Sequence, residues 1–449
     1  MTADLASRYD LRVPRYTSYP TAPHFSDAVG PETYGDWLGG LADGSALSLY
    51  FHIPFCDTLC WFCGCHTTIV RNYKPVKAYI DLLVQEIDRV AERIPASVSA
   101  THLHWGGGSP TILTGEDWRW ISDRIRSRFP VAETAEIAVE MDPRDTTEDY
   151  VRDLAAAGVN RVSIGVQDFD PVVQKAVNRI QPFDQTKRVA GWLAKHGIHT
   201  LNMDLMYGLP HQTVERVISM VDQAVTLNPQ RVALFGYAHV PWMKAHQKLI
   251  HETDLPGTTE RWDQYEAASA RLVEAGYVAI GLDHFARPDD TLAQAQQAGK
   301  LHRNFQGYTV DQAPVLLGFG ASSIGFLPQG YVQNVADVAA YEEMIRAGGL
   351  ATARGIALND EDRLRADIIE RLMCDLSVDL ETVAERHGKH AADFASEIET
   401  LKPLRDDGLL HLEDNVIAMS EEGRPLVRLA AAAFDTYLQS GKARHSRAV

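Results

Sequence analysis

The chain has 449 residues, of which 45% are hydrophobic and 23% charged, enough for a large core and roughly one to three domains. Its net charge of −17 argues against nucleic-acid binding, which favours clustered Lys and Arg, and an anionic ligand would need a locally basic pocket. No apolar run approaches the ~20 residues of a membrane span. Residues 1–19 carry Arg8, Arg12 and Arg15 without an apolar stretch, unlike a secretory signal, so the expectation is a cytoplasmic protein.

Residues 1–35 lack clear periodicity and read as an extended N-terminal arm. Its segment Arg15-Tyr16-Thr17-Ser18-Tyr19-Pro20-Thr21 is either a plain lead-in or a cover over a pocket. Leu47, Leu49, Phe51 and Ile53 then alternate as in a strand. Tyr79, Leu83, Ile87, Val90 and Ile94 recur at helical spacing before Pro95. Short apolar runs follow near 102–105, 136–141, 161–166, 200–206, 231–237 and 277–282. Helical stretches separate them near 115–128, 146–157, 185–196, 212–226 and 258–275. Strands alternating with helices predict parallel βα units over 36–350. Their strands end in polar or Gly-rich residues, at Trp105-Gly106-Gly107-Gly108-Ser109-Pro110, Glu140-Met141-Asp142-Pro143, Gln167-Asp168, Asp204 and Tyr237-Ala238-His239. Active sites of parallel α/β folds lie at those carboxyl ends.

After residue 350 the texture changes. Helices are expected near 361–375, 379–388, 390–403 and 421–438, with a strand pair around 409–419, giving a small, mainly helical C-terminal domain over 351–449. Few basic residues mark a recognition helix, so a packing or lid role fits better than DNA binding. The tail 442–447 reads as frayed.

Four of five cysteines, Cys56, Cys60, Cys63 and Cys65, fall within ten residues after the first strand, and Cys374 stands apart. An odd, clustered set in a cytosolic chain points to a metal or redox site, not a disulfide framework. Soft thiolates select zinc, copper(I) or iron–sulfur clusters. Structural zinc would need a second pair of ligands, and only His66 is near. Three thiolates on a four-iron cluster would leave one iron open to a small molecule.

The Cys56-x-x-x-Cys60-x-x-Cys63 spacing resembles the radical S-adenosylmethionine superfamily. The run from Tyr50 through Cys65 is closer still to the oxygen-independent coproporphyrinogen III oxidases. So are RYTSYPTA at 15–22, HWGGGSP at 104–110, EMDPR at 140–144, SIGVQDF at 163–169, NMDLMYGLP at 202–210, HFARPDD at 284–290 and HRNFQGYT at 302–309. The resemblance implies an incomplete (βα) barrel of the radical SAM type. It implies a 4Fe–4S cluster on Cys56, Cys60 and Cys63, and two molecules of S-adenosylmethionine. Matching motif positions, their contacts would be Tyr50, Phe62, Gly107, Gly108, Ser109, Glu140, Gln167, Arg179, Asp204, Ala238 and Ile324. Ser109 stands where better-known members have Thr, and Trp61 where Tyr is familiar. Cys65 is not a ligand in the family; it either shapes the loop or serves electron or proton transfer.

The implied reaction is anaerobic. A 5′-deoxyadenosyl radical takes a hydrogen from a propionate of coproporphyrinogen III. Carbon dioxide and an electron leave, and two such steps give the two vinyls of protoporphyrinogen IX in haem biosynthesis. The four substrate carboxylates call for a cationic pocket, for which Arg15, Arg144, Arg287, Arg303 and His284 are candidates. An unidentified electron donor and acceptor, and a monomeric state, complete the family expectation. The competing reading is a haem-binding chaperone related to the family. Such relatives usually lack the extra cysteine and parts of the arm, and both are present here.

Overall fold

The structure is a computed structural model that describes residue 5 and residues 8–438; the expected frayed tail lies outside the described residues. Its centre is a twelve-stranded sheet. The strands are β1 (Ala46–Ile53), β2 (Ser99–Gly107), β3 (Val131–Met141), β4 (Arg161–Gln167), β5 (Thr200–Tyr207), β6 (Arg231–Gly236), β7 (Val278–Ile280), β8 (His284–Ala286), β9 (Val315–Phe319), β10 (Ile324–Leu327), β11 (Gly330–Asn334) and β12 (Thr352–Ala357). They lie in the order β12-β11-β10-β9-β1-β2-β3-β4-β5-β6-β8-β7. From β9 through β6 every neighbour is parallel, and both flanks are antiparallel. The end strands β12 and β7 do not pair, so the sheet stays open, as an incomplete barrel requires.

The parallel strands alternate in character, and the alternation decides where the site can be. On β1, Leu47, Leu49, Phe51 and Ile53 are buried against the outer helices, while Ser48, Tyr50 and His52 face the other way. The same inner face carries His102 and His104 on β2, Glu136 and Glu140 on β3, Ser163 on β4, Asn202 and Asp204 on β5, and Arg231 on β6. These side chains line a lumen of about 200 Å³. A parallel sheet covered by helices on both faces would be apolar throughout; a polar inner face marks a space kept for a ligand.

Helices at Gly115–Arg128, Glu148–Ala156 and Val214–Thr226 cover the outside, at or within two residues of the positions their periodicity predicts. Thr114, Thr147 and Thr213 cap them by accepting backbone N–H bonds.

The C-terminal part holds helices Asp360–Asp375, Leu380–Arg386 and Ala395–Asp406 and a three-stranded antiparallel sheet, Ser377–Asp379, Val416–Met419 and Leu410–Glu413. The helix expected over 421–438 is much shorter, Val427–Ala432, preceded by a 3-10 turn at Arg424–Leu426. Pro425 cannot donate a backbone bond. A Cβ on Gly423 would come within 1.8 Å of the Leu409 carbonyl, so the chain there is pressed against the sheet instead of coiling. Strand β12 lies beyond residue 350 yet belongs to the main sheet, joined to it through β11.

The arm is packed, not loose. Tyr9, Val13, Tyr16 and Tyr19 are buried. Tyr9 donates to Asp407 at 2.6 Å and Tyr16 to Asp435 at 3.1 Å, tying it to the C-terminal part. A helix over Pro31–Gly39, which the sequence reading did not anticipate, carries the chain across the expected arm boundary.

Candidate active site

The cysteine loop leaves the carboxyl end of β1 and is held through its own backbone. The Trp61 N–H donates to the Val177 carbonyl at 2.9 Å, and Asn178 donates to the Leu59 carbonyl at 2.8 Å. Gln247 reaches the Phe62 carbonyl at 2.9 Å, His246 that of Cys63 at 2.8 Å and Lys244 that of Cys65 at 2.8 Å. Each of the three thiols also receives its own donor. Thr67 Oγ1 lies 3.2 Å from Cys56 Sγ, Arg179 Nη1 3.5 Å from Cys60 Sγ, and the Cys65 N–H 3.4 Å from Cys63 Sγ. Arg144 adds a second guanidinium at 3.7 Å from Cys60 Sγ.

Burial pushes the Cys56 thiol up to about 12, whereas hydrogen bonding with Cys65 brings Cys63 down to about 6. Among the described residues no three Cys, His, Asp or Glu converge on one metal ion. Separate sulfurs on one rigid loop, each offered a polar donor, suit instead a cluster in which each thiolate holds a different iron.

The glycines beside this loop are there for close approach. A Cβ on Gly108 would meet the Phe55 carbonyl and Thr67 Oγ1, both at 2.6 Å, and one on Gly107, whose φ is +113°, would meet the His52 ring at 2.6 Å. Gly106 leaves room for the Glu140 carboxylate in the same way, a role the sequence reading missed. Glu140 accepts from the Gly107 N–H and lies within hydrogen-bond distance of His104 Nε2, each at 3.2 Å, while its side chain stays 41% exposed to the lumen. Opposite it Asp204 accepts from Ser163 at 3.2 Å; burial first, then the charge of Glu140, raises its carboxyl to about 7.

The structure places the expected ligand-contacting residues as follows. Glu140 and Asp204 line the lumen, the Gly107 N–H donates to Glu140, Tyr50 on β1 lies in register with His104 on β2, and Gly108 and Ser109 follow the end of β2. Ser109 Oγ is 3.0 Å from Thr111 Oγ1. Ile324 joins from β10, two strands from Tyr50 across Gly318. Gln167 ends β4 at φ +68°. Phe62 packs with Val173, Val177 and Tyr237 under the loop. Arg179 lies behind the loop, fixed by Asp142, Gln181 and the Gly165 carbonyl besides Cys60. Ala238 lines a second cavity, of about 370 Å³, beyond the end of β6.

That second cavity sorts the expected cationic residues. Arg15 and Arg303 line it, together with Arg12, Arg261 and Arg428, which sequence reasoning missed. Arg144 belongs instead to the thiol loop. Arg287 lines neither this cavity nor the lumen: it pairs with Asp289 at 3.1 Å and Asn228 at 2.8 Å. His284 enters the lumen with Nδ1 2.7 Å from Asp283. Burial alone would raise Asp283, but His284 first, then Arg303 and Arg15, hold it down at about 2.

Comparisons with known proteins agree with this geometry. Residues 50–224 match the radical SAM superfamily and residues 358–426 the HemN C-terminal domain. A protein of Bradyrhizobium diazoefficiens named oxygen-independent coproporphyrinogen III oxidase is 52% identical over 100% of both chains. The Escherichia coli protein of that name is 40% identical over 97% of this chain and 95% of its own. A solved structure described as coproporphyrinogen III oxidase (HemN) from Escherichia coli, a radical SAM enzyme, superposes with a TM-score of 0.91. It is 39% identical and covers 95% of this chain and 100% of that one. By fold, thiol loop and full-length likeness, the chain belongs to the oxygen-independent coproporphyrinogen III oxidase family of the radical SAM superfamily.

Proposed function

We propose that this protein decarboxylates two propionate side chains of coproporphyrinogen III oxidatively and without oxygen, giving the vinyls of protoporphyrinogen IX. The observation that carries the reading is a juxtaposition. Three donor-supported thiols stand beside a polar lumen, and the cavity next to it is lined by five arginines. Full-length relatives bearing the oxidase name support it.

In this reading Cys56, Cys60 and Cys63 hold a 4Fe–4S cluster. Two molecules of S-adenosylmethionine contact Tyr50, Phe62, Gly107, Gly108, Ser109, Glu140, Gln167, Arg179, Asp204, Ala238 and Ile324. When bound, the cluster and S-adenosylmethionine supply a carbon radical able to take a hydrogen atom from an unactivated methylene. The chain does the rest. Arg179 and Arg144 offset negative charge at Cys60. Glu140 and Asp204 offer acceptors to an ammonium or to ribose hydroxyls. The glycine run fixes the loop against β2, and the walls keep water from the reacting carbon. Each propionate loses one hydrogen atom, carbon dioxide and one electron, and the electron goes to an acceptor outside this chain. The reading calls for a separate electron donor outside this chain, and for a protein that works as a cytoplasmic monomer.

The test is an anaerobic assay of the reconstituted protein with coproporphyrinogen III, S-adenosylmethionine and a reductant. Protoporphyrinogen IX and 5′-deoxyadenosine should form together. An intact cluster with neither product would favour a haem-carrying role.

A further inference from the structure

We propose that the surface around the cysteine loop is a docking site for a small, acidic, one-electron carrier protein. This rests on the reaction proposed above and gives its electron donor a chemical class and a place on the chain. Three segments frame the loop and hold its backbone. Residues 66–70 run beside its start, where the Val70 N–H donates to the Cys56 carbonyl at 2.9 Å. Residues 171–183 supply the Val177 carbonyl and Asn178, and residues 239–251 supply Lys244, His246 and Gln247. The loop itself reaches the surface. Thr58, Gly64, Cys65 and His66 are exposed, and a Cβ on Gly64 would meet nothing within 4 Å.

The charge of this frame is opposite to that of the protein. Residues 58–80, 171–183 and 239–251 contain none of the chain's 60 Asp and Glu, although the net charge is −17. Arg71, Lys175 and Lys248 lie in these segments and are exposed. The loop's single carboxylate, Asp57, is hydrogen-bonded to Asp145. The frame is also unusually apolar. Among the described residues nine large apolar side chains are exposed. Four of them, Ile69, Ile180, Met243 and Leu249, stand within two residues of a group that bonds the loop, and Met243 is 64% exposed.

Exposed apolar side chains rimmed by polar ones mark an interaction surface. A carrier has to approach the loop, deliver and leave, which suits a small, weak interface steered by charge. A basic zone on an acidic protein draws an acidic partner to that zone and repels it elsewhere. In the transfer the carrier loses one electron, the group held by the three thiolates gains it, and no atom changes hands. An anionic membrane would also meet basic and apolar side chains. The carrier is the better fit because the zone is centred on the loop that has to receive the electron.

The test uses the reconstituted full chain and, as probe, an acidic flavodoxin, with binding followed by calorimetry. Lys175→Glu and Lys248→Glu should each weaken binding about threefold to tenfold at low salt, and about 0.5 M salt should erase the difference. Met243→Ser should weaken it about threefold at either salt concentration. Lys389→Glu, the same charge change made in the C-terminal domain, should bind as wild type does. Reduction of the cluster by reduced flavodoxin, followed by stopped-flow absorbance, should slow in step with the loss of affinity, while reduction by dithionite keeps the wild-type rate. Equal slowing with dithionite would overturn the assignment, because the lysines would then be shaping the loop. So would an absence of flavodoxin binding, affinities of both lysine variants within about twofold of wild type, or charge reversals that abolish self-association or sedimentation with phosphatidylglycerol vesicles instead. Lysine-dependent reduction by flavodoxin without any protoporphyrinogen would sink the proposed reaction and leave the docking surface standing.

Discussion

The two walls of this active site are built by opposite means. The thiol wall comes from one ten-residue stretch, Cys56 to Cys65, hung from the end of β1 and braced by a glycine run on the adjacent strand. The arginine wall comes from the arm, a helix after β6, a hairpin and the C-terminal domain, none adjacent in sequence. The first wall needs fixed geometry around a small inorganic group, which a short loop with close backbone contacts provides. On the proposed reading the second surrounds a large polyanion, which only distant segments folded together can do.

Breaking the thiol wall should have the largest effect. Cys60→Ser should abolish turnover and lower bound iron and sulfide on chemical analysis; full retention of both would mean Cys60 is not a ligand. Next comes Glu86, buried in the helix Lys74–Ala91. It accepts from the Gly320 N–H at 2.7 Å, Asn334 at 2.6 Å and Tyr341 at 2.8 Å. Burial raises its carboxyl from 4.5 to about 7. A raised carboxyl favours the fold fully below pH 4.5 and loses that contribution as pH rises through 7, about 3 kcal/mol in all. Unfolding measured across that window should fall in stability as pH rises, and Glu86→Gln should flatten the slope; an unchanged slope would assign it elsewhere.

Gly107→Ala should cost about 2 kcal/mol and weaken S-adenosylmethionine binding, because φ is +113° and the His52 ring blocks a Cβ. The smallest effect sharpens the contrast. Gly191 lies within the helix Phe183–Lys195, where a Cβ meets nothing within 4 Å, so Gly191→Ala should stabilise by about 1 kcal/mol without touching either wall. A loss there on thermal unfolding would contradict the packing described.

The same contrast explains what could be read from sequence. The thiol wall is contiguous, so its spacing and its Gly-rich neighbour stand out, and the alternation of β1 separates lumen from core. Arg261 sits in a long helix, where an arginine reads equally well as a surface ion pair, and Arg428 in a short apolar run; only the tertiary fold brings them together. Arg287 misled for a related reason. Strand β8 runs antiparallel to β6, so His284 at its start faces Ala233, while the Arg287 N–H bonds the Gln230 carbonyl, just before β6 begins. One motif therefore spans both ends of the strand, and only one end reaches the lumen. The last helix was overdrawn because apolar periodicity outlasted the constraint from Gly423 and Pro425.

The central claim is that the thiol wall and the arginine wall serve one reacting carbon. The most direct measurement is anaerobic turnover of coproporphyrinogen III deuterated at the propionate methylenes, with 5′-deoxyadenosine analysed by mass spectrometry. The account predicts deuterium in the deoxyadenosine formed by wild type, and much less labelled product from Arg428→Met at limiting substrate. Protoporphyrinogen formed alongside deoxyadenosine that carries no deuterium would contradict it.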